Sequence, residues 1–595
     1  MTVNEKLIAL RRAMKSQNID AYLIPSSDPH QSEYVADHWK SRAWISGFTG
    51  SAGTVIVTQE IAHVWVDSRY FIQGETQLRG TDFVLQKQKI AHAPEHIIWL
   101  KNNLKKGVKL GFDGRLFSVG QVRQLATNLE GKSIDLDGNH DLISEIWKDR
   151  EPLPQDLIFD HDVKYAGQSR LEKLKHVRTK MEEKGADHYF ISTLDDIAWI
   201  FNLRGKDVEC NPVFYSYAVI SKEIAYLFIE NTKISGELKS KLNEDGILIK
   251  KYEEIEAFLK NIPQGEIIQI DASTINNLLY NAIPSDQSLK GQNIVRCQKA
   301  IKNPIEVGHI REAMIKDGVA LTKLFRWLDS TLNERSVPET EVAEKLIEFR
   351  RTQGDYHGES FDAICGYKGN GAIVHYHAEP ESCANIEKEG ILLLDSGGQY
   401  TNGTTDITRT ISLGNPTDEQ KRNFTLVLKG HIGLTTAKFP ERTTGVQLDT
   451  LARIHLWKDN LNYGHGTGHG VGFFLNVHEP PQGFATNPST SRGTTYISPG
   501  MFTSNEPGFY KKDEYGIRIE NLILCVMDKE IDETKWYKFE TLTLFPIDLN
   551  LVDRDLLSEN ERNWLNTYHQ EVFEKLSPHL SKEEFDWMKQ MCQTI

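Results

Sequence analysis

What this sequence is short of narrows its chemistry first. Six cysteines in 595 residues (Cys210, Cys297, Cys365, Cys383, Cys525 and Cys592) show no CxxC pair and no framework spacing, so they read as free thiols of a reducing compartment. No apolar run approaches the ~18 residues of a membrane span. The first residues, MTVNEKLIALRRAMKSQNID, read as a charged amphipathic helix without an apolar signal core or a small-residue cleavage site. A cytoplasmic protein with no membrane partner is the expectation. Basic residues are in deficit: 69 Lys and Arg against 83 Asp and Glu give a formal charge of −14, which argues against a nucleic-acid surface. Familiar catalytic signatures are missing too. There is no HExxH and no GxSxG, and Gly464, Gly466, Gly468, Gly470 and Gly472 alternate in a way that fits neither GxGxxG nor GxxxxGK[ST].

What is present is an ordinary globular composition, 39% hydrophobic and 26% charged, at a length that makes two to about four domains the prior. An internal repeat orders the first half. MKSQNIDAYLIPSSD (Met14 to Asp28) aligns without a gap with MEEKGADHYFISTLD (Met181 to Asp195). AWISGFTG (Ala43 to Gly50) then matches AWIFNLRG (Ala198 to Gly205), and VTQEIAHVWVDSR (Val57 to Arg69) matches ISKEIAYLFIENT (Ile220 to Thr232). Each copy reads as helix, strand, loop, alternating hairpin, helix, and a strand ending in Asp113 or Asp271. Two α/β domains are therefore expected, over residues 1–152 and 153–302.

The remainder, 303–595, reads differently. Asn303–Pro304 is a helix start, followed by Ile310, Met314, Leu321, Leu324 and Leu328 at helical spacing. Further helices are predicted from Pro338, from the capping box at Thr417, and around Val446 to Trp457. Gly-punctuated apolar runs between them (ILLLDSGGQY, TDITRTISL, YGIRIENLILCV) read as strands, with β-alternation around Arg518 and Glu520. From about residue 530 a helical extension is expected, with boxes at Ser558–Glu561 and Ser581–Glu584, packed through Trp564, Leu565, Tyr568 and Trp587 and carrying no chemistry.

Charged residues inside apolar strands are the informative anomaly, because an unpaired buried charge is costly. Asp395, Asp406, Glu506 and Glu520 all lie in such runs and need Arg or Lys partners, shared protons or metal ions. His375, His377, His465, His469 and His478 fall in the same domain, three of them in YGHGTGHGVGFFLNVHE, where glycines let the backbone turn sharply and the imidazoles converge. Mixed carboxylate and imidazole donors suit Mn, Co, Fe or Zn, and four carboxylates suit two ions better than one. Two-metal sites activate water and polarise carbonyls, which is hydrolytic chemistry.

These residues carry a family likeness. LLLDSGGQY, GTTDITRTI, GHGTGHGVG, NEPGFY and GIRIEN resemble the metal-binding motifs of the pita-bread metallopeptidases, most of all the Xaa-Pro aminopeptidases in their long three-domain cytosolic form. HQSEYVA, SGFTGSAGT and VDSRYF in the first domain, LDDIAWIFNLRGKDVECNPVF in the second, and GNGAIVHYH and HEPP in the third extend the likeness over nearly the whole chain. The resemblance implies two creatinase-like domains followed by a curved antiparallel sheet flanked by helices. It implies two divalent ions, Mn2+ first with Co2+ or Zn2+ as alternatives, held by Asp395, Asp406, His469, Glu506 and Glu520, with Asp406 and Glu520 bridging. Glu506 is the implied general base, with His465 and His478 beside it in the chemistry. Arg69, His375, His469, His478 and Arg518 are implied on the substrate side, Arg518 also neutralising the carboxylates. HEPP and the extra His377 depart locally from the commonest family forms. The implied reaction releases the first residue of small peptides with proline second, in a homodimer. A prolidase acting on dipeptides is the alternative within the fold, and an inactive pita-bread binding module the alternative from another class. Creatinase lacks this metal set, and methionine aminopeptidases lack the two leading domains.

Overall fold

The computed structural model describes residues 1–89, 94–488 and 490–595. It divides into two compact units: residues 1–163 with 168–295, and residues 164–167 with 296–595.

The first unit contains the repeat. In each half a central strand, Ala21–Pro25 or His188–Ile191, is flanked on one side by an antiparallel hairpin, Thr54–Thr58 with Ala62–Val66 or Tyr217–Ser221 with Ala225–Phe228. A parallel edge strand follows the hairpin, and two parallel strands lie on the other side of the centre. Both six-stranded sheets run in the same order, so the gapless alignment corresponds to one repeated topology. The halves are joined through buried polar groups. His30 is fully buried, its ring nitrogens on Ser192 O at 2.7 Å and Tyr252 Oη at 2.8 Å. Tyr215 Oη donates to Asp28 Oδ2 at 3.0 Å.

In the second unit the helix Pro304–Thr331 starts where expected. Asn303 caps it, accepting from Ile305 and Glu306, and Glu306 reaches back to the Asn303 amide. Ile310, Met314, Leu321, Leu324 and Leu328 all face the core, with exposures of 2% or less, each such burial contributing about 1.5–3 kcal/mol. Helices Glu339–Arg351, Asp418–Thr435 and Gly445–Trp457 follow. They flank two antiparallel sheets. One is built on Tyr356–Tyr367, Ile391–Tyr400 and Ile407–Ser412. The other contains Gly468–Gly470, Glu479–Phe484, Phe502–Asn505, Asn521–Ile531 and Thr534–Thr541.

The C-terminal part differs from expectation. Residues Thr534–Thr541 form a strand paired with Asn521–Ile531, so the helical part begins only at Glu559, on a Ser558–Glu561 capping box. A second box at Ser581–Glu584 opens Lys582–Met591. The helix opened at Glu559 also meets a buried arginine of the strand Ile407–Ser412. The Tyr568 hydroxyl meets Arg409 at 2.9 Å, and the buried Arg409 guanidinium donates to Glu520 O at 2.6 Å and to Thr408 O, Phe545 O and Pro546 O. Tyr568 is stacked on Trp564, their rings 5.3 Å apart.

Candidate metal centre

Asp395 lies within Ile391–Tyr400, opposite Thr408 of the neighbouring strand. The other three carboxylates sit at breaks between strands. Asp406 immediately precedes Ile407–Ser412, Glu506 follows Phe502–Asn505, and Glu520 separates Tyr515–Arg518 from Asn521–Ile531. The expectation of ligands embedded in strands, with Arg518 and Glu520 alternating on one strand, is corrected accordingly. At a break the amide leaves the ladder and finds another acceptor: Glu506 N donates to Thr467 O at 2.8 Å and Glu520 N to Thr408 O at 3.1 Å. The carboxylates are thereby free to turn toward one another.

Glycine in GHGTGHG serves a different purpose from the sharp turns expected. None of Gly464, Gly466, Gly468, Gly470 or Gly472 adopts the left-handed backbone. A Cβ on Gly468 would lie 1.9 Å from Ser504 O, and one on Gly470 2.3 Å from Glu479 O. These glycines permit the close strand approach that sets His469 beside Glu506.

Asp406, His469 and Glu520 each present one ligand atom within 4.8 Å of the others. His469 Nε2 lies 3.5 Å from Asp406 Oδ2 and 3.5 Å from Glu506 Oε1. His469 Nδ1 is 2.9 Å from Gly470 O. A carbonyl only accepts, so Nδ1 carries the proton and Nε2 offers a lone pair toward the carboxylates, the tautomer that ligates a metal. Arg518 reaches Asp395 Oδ2 at 2.6 Å and Tyr510 Oη at 2.7 Å, with Nε 3.1 Å from Thr408 Oγ1. Thr408 in turn donates to Glu520 Oε2 at 2.7 Å, and Ser504 donates to Glu506 Oε1 at 3.1 Å.

The His465 tautomer also follows from its partners. Tyr510 Oη accepts from Arg518 and lies 2.8 Å from His465 Nε2. Its own proton therefore goes to that nitrogen, leaving Nδ1–H to donate to Gly466 O at 2.7 Å. The loop is held from behind by the buried Asp449–Arg453 pair: Arg453 donates to Tyr463 O and His465 O, and Asp449 accepts from Thr467 Oγ1. His478 packs edge-on against His469, ring centroids 4.2 Å apart.

His375 is in the turn after the short helix Lys368–Ala372, and His377 is exposed, 3.7 Å from Glu379. Arg69 belongs to the first unit, its guanidinium laid on Asp67 at 2.8 Å. Thr408, Ser504 and Tyr510 were not singled out in the sequence. Tyr510 had a signal in the NEPGFY motif itself, whereas Thr408 and Ser504 look like ordinary strand residues.

The donor set fits divalent metal. Asp406, Asp395 and Glu520 are buried. Asp395 Oδ1 is buried with no hydrogen-bond partner among the described residues. Burial, then the neighbouring carboxylates, pushes Asp406 and Glu520 well above the usual carboxylate range; burial, partly offset by Arg518, raises Glu506 to about 7. Fully ionised, as ligation of a metal requires, the four carboxylates together with Arg518 carry a net charge of −3. One divalent ion leaves −1 and two leave +1, a balance that a single further anion completes.

Residues 6–146 and 149–306 each match the creatinase/prolidase N-terminal domain, residues 308–526 match metallopeptidase family M24, and residues 535–595 match the C-terminal region of that peptidase. The chain is 39% identical to a probable Xaa-Pro aminopeptidase P of Coprinopsis cinerea, covering 100% of this chain and 98% of that one. It is 40% identical to aminopeptidase P2 of Arabidopsis thaliana, over 98% and 87% of the two chains. The crystal structure of an X-prolyl aminopeptidase from Caenorhabditis elegans, described as a cytosolic enzyme with a di-nuclear active site, matches it with a TM-score of 0.96 at 34% identity, covering 100% of both. Fold, buried donor set and full-length similarity agree: the chain belongs to the Xaa-Pro aminopeptidase P family of M24 metallopeptidases.

Proposed function

We propose that this chain is an aminopeptidase that hydrolyses the bond between the first residue of a small peptide and a proline in second position. Asp395, Asp406, His469, Glu506 and Glu520 would hold two divalent ions. When bound, such a pair supplies Lewis-acid stabilisation of developing negative charge and acidifies a water.

The chain's own residues do the rest. Glu506 takes the proton of the attacking water and returns it to the departing proline nitrogen. Its side chain keeps 18% exposure, against 11% for Asp395 and 5% for Asp406, so it is the carboxylate best placed to meet water. His478, edge-on to His469, donates to the oxygen of the tetrahedral intermediate. His465 has both ring nitrogens engaged by Gly466 and Tyr510 and acts through Tyr510 and Arg518, orienting the guanidinium that steadies Asp395. The Xaa-Pro bond has no N–H to donate, so recognition falls on the peptide's amine, its carbonyls and the proline ring. His375 and Arg69 are assigned to hold the peptide.

Manganese is proposed as the native metal, because an oxygen-rich donor set with one imidazole and no thiolate suits it. A cytoplasmic location fits six cysteines without a CxxC pair or framework spacing, and the homodimer rests on the family resemblance alone.

The observation that carries this reading is the convergence of Asp406, His469 and Glu520 beside Asp395 and Glu506. The test is product analysis with manganese-loaded enzyme on an Xaa-Pro-Yaa tripeptide and the matching Xaa-Pro dipeptide. Release of free Xaa from the tripeptide is expected; cleavage of the dipeptide alone would make the protein a prolidase.

A further inference from the structure

Next to His478 lies a charge cluster that the reaction above does not use. Glu479 follows His478 directly and opens the strand Glu479–Phe484. Its Oε1 meets Lys302 Nζ, and Lys299 Nζ lies 3.9 Å from Oε2. All three side chains are 1% exposed. Lys302 Nζ donates also to Lys299 O at 3.1 Å. Two ammonium groups around one carboxylate in the interior are a poor means of gaining stability, since apolar replacements of buried pairs are often neutral or better. What such a cluster does provide is direction and distance.

The main chain of the same short segment grips the other limb of the centre. Lys302 N donates to Gly500 O at 2.8 Å, and Ile301 pairs with Met501 in an antiparallel bridge. Gly500 has a φ of +92°, and a Cβ there would lie 2.8 Å from Ile301, so only glycine lets the strands meet. Phe502–Asn505 begins one residue after Met501 and delivers Glu506. On the Glu479 side, Glu479 pairs with Gly470 in the strand that carries His469. One lysine therefore touches the residue after His478 by its side chain, and the approach to Glu506 by its backbone.

We propose that Lys302 is a positioning residue for hydrolysis: its ammonium group fixes Glu479, and with it the angle at which His478 meets the substrate, while its amide fixes the segment leading to Glu506. This rests on the assignment of His478 to the reaction.

The test uses full-length, metal-loaded enzyme. Lys302→Met combined with Glu479→Gln keeps the side-chain size and leaves the net charge of the three-residue cluster at +1, so this pair of substitutions is designed to fold. Metal content should be unchanged, KM should stay within about 3-fold, and kcat should fall about 10–100-fold, the scale on which small misplacements of reacting groups act. In a His478→Ala background the same pair should cost less than about 3-fold, because the group it positions is already gone. A purely structural role would lower kcat equally in both backgrounds, and that result overturns the proposal. A slow His478→Ala with a full-speed Lys302→Met/Glu479→Gln enzyme refutes the role of Lys302 alone. A full-speed His478→Ala refutes the assignment of His478, and this proposal with it.

Discussion

Among the described residues Arg518 is the guanidinium bonded to Asp395, and its replacement by Met should be felt very differently with and without metal. In the structure it pairs with Asp395 Oδ2 at 2.6 Å and donates to Tyr510 and Thr408. Asp395 and Arg518 are both buried, their side chains 11% and 2% exposed. Breaking a buried ion pair by removing one partner costs about 3–5 kcal/mol. Losing the donors to Tyr510 and Thr408 adds about 1 kcal/mol each. Chelated Arg518→Met should therefore unfold with about 5–7 kcal/mol less stability than chelated wild type. With two divalent ions in place Asp395 has another counter-charge, and the same substitution should cost less than half as much. Urea unfolding of both proteins, with chelator and with Mn2+, gives the four values. Equal losses in the two states, or a loss under about 1 kcal/mol in chelator, would refute the electrostatic reasoning.

Asp406→Asn and Glu520→Gln each remove a charge from the middle of the cluster, so metal content by elemental analysis should drop below two ions per chain together with activity; full occupancy in either contradicts their assignment. His469→Ala should lose metal, whereas His478→Ala should retain it and slow kcat by on the order of 10²–10³, the cost of one oxyanion donor; metal analysis beside steady-state kinetics separates them. In the metal-free enzyme, Asp406 and Glu520 lie well above the carboxylate range and Glu506 at about 7, so the folded centre binds protons that the unfolded chain, with carboxylates near about 4, has released. That stabilisation is complete below the unfolded values and is lost as pH rises through the folded ones. The gap between the melting temperatures of metal-loaded and chelated enzyme should therefore widen from pH 5.5 to pH 8, and a constant gap would contradict it.

Local signals made much of this architecture readable in advance. The repeat was visible because its three blocks align in order, and Asn303–Pro304 together with the capping boxes at Thr417, Ser558 and Ser581 marked helix starts through chemistry confined to a few neighbouring residues. Asp395, Asp406, Glu506 and Glu520 stood out because charge in apolar runs needs compensation. Other features depend on partners far away in the chain. That Glu506 and Glu520 sit at strand breaks follows from amides bonding across to Thr467 and Thr408, 39 and 112 residues away in the chain. The roles of Gly468 and Gly470 appear only once Ser504 and Glu479 are known to press against them. Tyr568 looked like a packing aromatic, and nothing near it in sequence reveals that its hydroxyl meets the arginine holding Glu520.

The most direct test of the account couples metal content to peptide cleavage. Enzyme stripped with chelator and then titrated with Mn2+ should regain release of Xaa from Xaa-Pro-Yaa in step with binding, reaching full activity at two ions per chain. Full activity in thoroughly metal-free protein, or two bound ions without any Xaa-Pro cleavage, would contradict it.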